Sequence, residues 1–338
     1  MSYPVLVNER RGDIIENIHE GIICGVTDMK DLAFKIGDEN TYVYYRSASK
    51  PLQAIPIFKE NIDKKYHLTD QEAALFTASQ RGEDYHLQAL ESILEKIGLN
   101  ENDLYCPPSY PLNDRPKERY LNNNLPKRKL LHNCAGKHLG FLSWCKEKGI
   151  TNDKYWDIDH PLQQEILQTL SELSECPKKE IKIAVDGCGV PVFALPLKNM
   201  AISYLKLACP DLINDEKTRA AVQRMTAIMN KAPEIVASHQ FICTELLKDG
   251  NIIAKGGAQG VYCLGLKKER MSVALKVYSG SEDVWPNIIA QILEQLGYKN
   301  SETINRLKQL KPNMIKNDSG SVVGQLELPF QLTGTNIG

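Results

Sequence analysis

No apolar run in this chain approaches the length that spans a bilayer, so a membrane helix is not expected. The opening residues, "MSYPVLVNERRGD", lack a long apolar signal segment, which predicts a protein that stays where it is made, in the cytoplasm. Charge of one sign is not in excess either. There are 41 basic and 42 acidic residues, for a formal net charge of -1. That balance offers no footprint for a polyanion and argues against nucleic-acid binding. The most basic stretch, 116–129 ("PKERYLNNNLPKRK"), is too poor in aromatics to be a stacking platform. Its prolines and asparagines read as an exposed, solvated loop. The sequence has no Cys-x-x-Cys pair, no internal repeat and no low-complexity tract. Nine cysteines, odd in number and widely spread, argue against a secreted disulfide framework. Reduced thiols, most of them buried as small hydrophobes, are expected instead.

What is present is a change of texture along the chain. "HEGIICGVTDM" and "NTYVYY" carry the β-branched and aromatic residues of strands. Thr69-x-x-Glu72 is a capping-box pattern before the apolar run of "TDQEAALFTAS". Helical spacing continues in "EDYHLQALESILEKIGL", "CAGKHLGFLSWCKEKG" and "HPLQQEILQTLSELS". From Lys182, "KIAVDGCGVPVFALPL" reads as strand, glycine-rich turn and second apolar segment, followed by two more helices. "GNIIAKGGAQGVYCLGL", "MSVALKVYS" and "SVVGQLEL" return to strands, with a helix at "DVWPNIIAQILEQLG". The reading is an α+β chain, one domain over 1–338. Its helix-rich lobe covers about 70–178, and its sheet lobe is formed by 1–69 and 179–338. Strands from both chain ends would share one sheet.

The chemistry starts at "YYRSASKPLQ". Ser47 and Lys50 stand three apart where a strand gives way to helical residues, so they share a face. A lysine held in an apolar setting moves toward its neutral form, and a neutral amine beside a hydroxyl is a general base beside a nucleophile. The same spacing also suits a simple helix start. Ser79 in "TASQRGE" is either a helix-terminal residue or a second cleft hydroxyl. Lys255 closes a strand before Gly256 and Gly257, where glycine lets a backbone approach a ligand closely. A tight hairpin with an exposed lysine is the plainer reading. "HNCAGKHLGF" and "VDGCGVP" collect His132, Cys134, Lys137, His138, Asp186 and Cys188. Two thiolates with neighbouring histidines suit zinc. Buried structural cysteines, or one cysteine nucleophile with His132 or His138 as base, are the alternatives. Asp186 either orients a ligand amine or caps its glycine turn. Cys243 looks mainly like core. Arg46 can hold a carboxylate bidentately or form a surface ion pair.

Taken together, "YRSASKPLQ", "ASQRGE", "HNCAGKHLGF", "HPLQ", "DGCGVP", "AKGGAQGVYC", "ALKV" and "VVGQLE" occur in order over nearly the whole chain. The set resembles the asparaginase II family, the rhizobial-type, zinc-containing L-asparaginases. That resemblance implies a fold like serine β-lactamases and glutaminases, an antiparallel sheet flanked by helices beside a helix-rich lobe. It also implies a homodimer that hydrolyses L-asparagine to L-aspartate and ammonia. By motif, Ser47 and Lys50 match one Ser-Lys pair, and Ser79 and Lys255 the other. Cys134, Lys137 and Cys188 match the ligands of a Zn²⁺ ion, Asp186 the carboxylate beside it, and Cys243 a cysteine near the pocket. Arg46 and Asp186 are the candidate anchors for the substrate's α-carboxylate and α-amine, and Gly256 the candidate for close backbone contact.

Two departures from the family pattern stand out. Gln80 and Arg81 replace an expected His-Ser, and 238–241 read "SHQF" in place of Gly-x-Gly-Arg. A glutaminase or another serine amidohydrolase of the same fold is the competing reading, and it does not call for "HNCAGKH" paired with "DGCGVP". A non-catalytic zinc-containing amino-acid-binding protein is a third, which has no use for activated hydroxyls.

Overall fold

Apolar and β-branched residues from the two ends of the chain meet in one antiparallel sheet. The computed structural model describes residues 3–333. Among these the sheet runs in the order Met314–Lys316, Val322–Glu327, Val5–Arg11, Ile14–Thr27, Met271–Val277, Val261–Leu266 and Ile252–Gly256, with Leu32–Ile36 also paired to Ile14–Thr27. Asn8 lies opposite Glu327, and Gly21 opposite Val277. The sheet is therefore closed by strands far apart in sequence. Its central members, Val261–Leu266 and the later part of Ile14–Thr27, are buried on both faces. Helix Leu197–Ala208 packs on these strands.

The chain divides into two units. The sheet unit takes residues up to Ala48, Leu195–Cys209 and the chain from Gln240 onward. The helix-rich unit takes Ser49–Ala194 and Pro210–His239. At the heart of the second lies helix Lys50–Lys59, buried at every position but its last. It packs against helices Ala135–Lys148, Pro161–Ser174 and Glu216–Lys231. Pro51 is harmless in its first turn, where the missing N–H has no intrahelical partner anyway. The predicted capping box forms: Thr69 N–H donates to Glu72 Oε2 (2.6 Å) and Glu72 N–H to Thr69 Oγ1 (3.2 Å).

Part of the basic stretch expected to be a loop is helix Asp114–Asn122. Only Pro116 and Tyr120 are buried on it, so its apolar stripe is too thin to read against so many charges. No helix among the described residues is long and apolar enough to cross a membrane.

Candidate active site

Within the helix-rich unit, Lys50 opens its helix with a side chain 1% exposed. Its Nζ donates to Ala78 O (2.7 Å), Ser79 Oγ (2.9 Å) and Asn133 O (3.2 Å). Burial pulls its pKa below the ordinary lysine value, with Lys137 adding to the effect and the Cys134 and Cys188 thiols opposing it. Ser79 is half-buried, just past the short helical run that the capping box starts, and its N–H is fixed on Val236 O (2.8 Å). Spacing pairs Lys50 with Ser47. The fold adds a contact between Lys50 and Ser79 across 29 residues.

Cys134 caps helix Ala135–Lys148, and Lys137 lies in its first turn. The helix can sit this deep because Gly136 has no side chain; a Cβ there would fall 2.2 Å from Leu75 O. Cys188 comes from the turn between strands Lys182–Val185 and Pro191–Pro196. Lys137 Nζ donates to Cys188 Sγ at 3.1 Å. Hydrogen bonding with the Cys134 thiol, helped by the Lys137 charge, brings Cys188 down to about 5. Burial instead pushes Cys24, Cys106 and Cys145 up to about 12. On Lys137, burial lowers the pKa but the two thiols outweigh it, and the net shift is upward.

Two buried cysteines and a buried lysine amine thus come from neighbouring elements, with Lys137 in contact with Cys188, and such a donor set fits zinc. Among the described residues no three His, Cys, Asp or Glu side chains gather as a metal site. A third donor would be the Lys137 amine, once it has given up its proton.

Asp186 Oδ1 accepts Gly187 N–H (2.8 Å), so the carboxylate caps its own glycine turn. The histidines nearby are already engaged. His132 Nδ1 accepts Cys134 N–H (3.1 Å). His138 Nδ1 contacts Tyr155 OH (2.7 Å), and burial pulls its pKa down to about 3. Its buried Nε2 meets no hydrogen-bond partner among the described residues. Both rings have structural work, which weighs against a cysteine–histidine nucleophile.

The sheet unit holds the other candidates. Ser47 lies in the 3-10 turn Arg46–Ser49, and Arg46 takes a left-handed φ of 49°. That turn is tied to helix Leu197–Ala208 by Tyr204 OH donating to Ala48 O (2.7 Å) and by a Tyr45–Ser203 hydroxyl contact. Lys255 is 1% exposed and donates to Gly256 O (2.8 Å). A Cβ on Gly257 would lie 2.6 Å from Tyr45 O and 3.3 Å from Ala48 N. Glycine there lets the strand carrying Lys255 press against the turn carrying Ser47. Cys243 is fully buried, and its sulfur accepts Gly256 N–H (3.2 Å) and Tyr262 OH (3.4 Å). It holds the backbone beside Lys255 in place.

The two departures from the expected motif meet at Glu83. Arg81 Nε donates to Asn113 Oδ1 (2.6 Å), and Asn113 Nδ2 to Glu83 Oε1 (2.6 Å). His239 Nε2 lies 3.8 Å from the same oxygen. The Arg81–Asn113 link was not visible in sequence, because it joins segments remote along the chain.

The family profile described as L-asparaginase II matches residues 7–328. The chain belongs to the L-asparaginase II family. It is therefore an amidohydrolase by descent. No curated protein matches it in sequence. Among solved structures it is similar to a β-lactamase from Mycobacterium bovis, at 12% identity and a TM-score of 0.43, covering 81% of this chain and 94% of that one. A Bacillus glutaminase shares 12% identity with a TM-score of 0.35, covering 78% and 84%. Simvastatin synthase from Aspergillus terreus shares 13% identity with a TM-score of 0.37, covering 76% and 84%.

Proposed function

We propose that this member of the family is an L-asparaginase, releasing L-aspartate and ammonia through a serine-bound acyl intermediate. The observation that carries the reading is Lys50: a buried amine, depressed by its surroundings, in contact with a serine hydroxyl. In its neutral form the amine has two N–H groups, which Ala78 O and Asn133 O accept. Its lone pair is then left for a hydroxyl. Ser47, three residues before Lys50, attacks the side-chain amide carbon as its proton passes to that amine. Ser79 and Lys255 relay a proton to the departing ammonia, and water then cleaves the acyl ester and regenerates the serine. The 2.9 Å contact supports a second reading, in which Ser79 is the nucleophile and Lys50 its base.

Arg46 and Asp186 anchor the α-carboxylate and α-amine of the substrate in this proposal, with Gly256 and Cys243 shaping the floor. Cys134, Lys137 and Cys188 would hold one Zn²⁺, with Lys137 as a neutral amine. Such an ion supplies Lewis acidity that orients and polarises the groups it touches. The proposal includes a homodimer, taken over from the family resemblance, and the cytoplasmic location expected from the opening residues and the scattered cysteines.

Purified protein incubated with L-asparagine and with L-glutamine, followed by ammonia release, tests the reading. Faster release from asparagine is expected. Faster release from glutamine favours the glutaminase reading. Folded protein that releases ammonia from neither overturns both.

A further inference from the structure

Gln80 stands where the family motif has histidine, and it is 1% exposed. Its amide is fully used. Nε2 donates to Leu130 O (3.1 Å) and to His132 O (2.8 Å), while Oε1 accepts Gly82 N–H (2.5 Å). The last bond closes a ring on its own chain, next to Gly82 at φ 81°, where a Cβ would fall 2.5 Å from Pro111. The amide therefore has a fixed direction. On the receiving side, the next carbonyl, Asn133 O, accepts Lys50 Nζ (3.2 Å), and the N–H after it, on Cys134, is taken by His132 Nδ1. In the stretch 130–134, three carbonyls thus accept from two side chains, Gln80 and Lys50, and the His132 carbonyl also accepts Ala135 N–H (2.9 Å).

We infer that Gln80 is a positioning residue that couples the Ser79–Lys50 pair to the Cys134 loop, so that the nucleophile region and the thiol–amine centre are set as one body. This inference rests on the function proposed above. Two N–H donors and one acceptor on a single planar group are what the position demands. A neutral histidine has one N–H and can satisfy only part of the set. A carboxylate is acceptor-only and would face two carbonyls with like polarity. Without the amide, the buried Leu130 carbonyl loses its Gln80 partner and the His132 carbonyl keeps only Ala135 N–H (2.9 Å), and a loop in that condition moves to find others. Cys134 and the Asn133 carbonyl move with it.

The test compares wild type with Gln80→His, Gln80→Met and Gln80→Glu, the last two close in size to glutamine. Three readouts apply: kcat and KM for L-asparagine, zinc affinity by chelator competition, and alkylation of Cys134 by iodoacetamide in metal-free protein, mapped on peptides. Gln80→Met is expected to lower kcat and weaken zinc binding each by about 10–100-fold, the usual scale for groups that orient ligands. KM should change much less, and Cys134 should alkylate faster. Gln80→His should recover part of each loss, and Gln80→Glu should be the most affected. A purely structural role predicts a lower melting temperature with kcat, zinc affinity and Cys134 reactivity unchanged in the surviving folded fraction; that result overturns the inference. If wild type proves inactive, the proposed activity falls, and if it proves metal-free, the zinc part of it falls, while the Cys134 labelling comparison still decides the coupling.

Discussion

Lys50 and Cys188 are two side chains that their surroundings move toward reactive forms, one toward the free amine and the other toward the thiolate. Lys50→Met keeps the apolar stem and removes the base, so kcat on L-asparagine should fall about 10²–10⁴-fold while the melting curve stays close to wild type. Near-normal turnover in that variant would remove Lys50 from the mechanism. Cys188→Ser takes away a soft ligand and should leave little zinc in protein purified without chelators, whereas Cys145→Ser, in a helix interior, should retain it. Equal zinc in the two variants would break the ligand assignment. At this scale spacing was informative only over one helical turn. The Ser47–Lys50 pattern is local, but the Lys50–Ser79 contact spans 29 residues and the Lys137–Cys188 contact 51. Such contacts are made by packing, which no local pattern encodes. Lys137 as a metal ligand came from family resemblance alone.

Helices and strands with a strong period were legible: the capping box at Thr69, the apolar stripe of Trp285–Gln295 and the strand Met271–Val277 all lie where the pattern predicts. Helix Ser301–Leu310 was not read, since its apolar residues are only Ile304, Leu307 and Leu310 among polar neighbours. Its start is secured instead by Asp249. That carboxylate accepts Tyr298 OH (2.7 Å), Asn300 Nδ2 (2.9 Å), Thr303 Oγ1 (2.7 Å) and Asn251 N–H (3.0 Å). Burial raises its pKa, but these four donors outweigh it and the net is below the ordinary aspartate value. Protons therefore bind the unfolded chain more readily than the folded one. The contribution of Asp249 is full above about pH 4, the ordinary aspartate value, and is lost as pH falls through its lower folded value. Asp249→Asn should cost about 2 kcal/mol at neutral pH, read from the urea midpoint, with the gap to wild type closing in acid. A gap that is constant from pH 7 to pH 3 would show the charge to be irrelevant.

On the scale of the molecule, the α+β class and the sharing of one sheet by both chain ends were legible because Val5–Arg11 and Val322–Glu327 are plain strands. Their register, Asn8 opposite Glu327, was not, because pairing partners this remote leave no periodic trace. A chain stopped after Lys311 loses both Met314–Lys316 and Val322–Glu327 and leaves an edge of Val5–Arg11 unpaired. It should melt lower and self-associate through that bare edge, as seen by light scattering. A monomeric truncation with the melting point of the full chain would show those strands to be ornament.

The same arrangement has a consequence for how the protein is made. Strand Ile14–Thr27 leaves the ribosome early, yet its partner Met271–Val277 is synthesised only after the helix-rich unit, and Val322–Glu327 later still. Val5–Arg11 and Leu32–Ile36 can pair with it at once, but the nascent chain carries the edge that Met271–Val277 will cover bare through most of translation, while the helical segments behind it can already pack. Pairings this non-local form slowly, and waiting strands are the ones that find the wrong partner. Yield of active enzyme should thus depend on the pace of synthesis and on holdase chaperones more than on the stability of the finished fold.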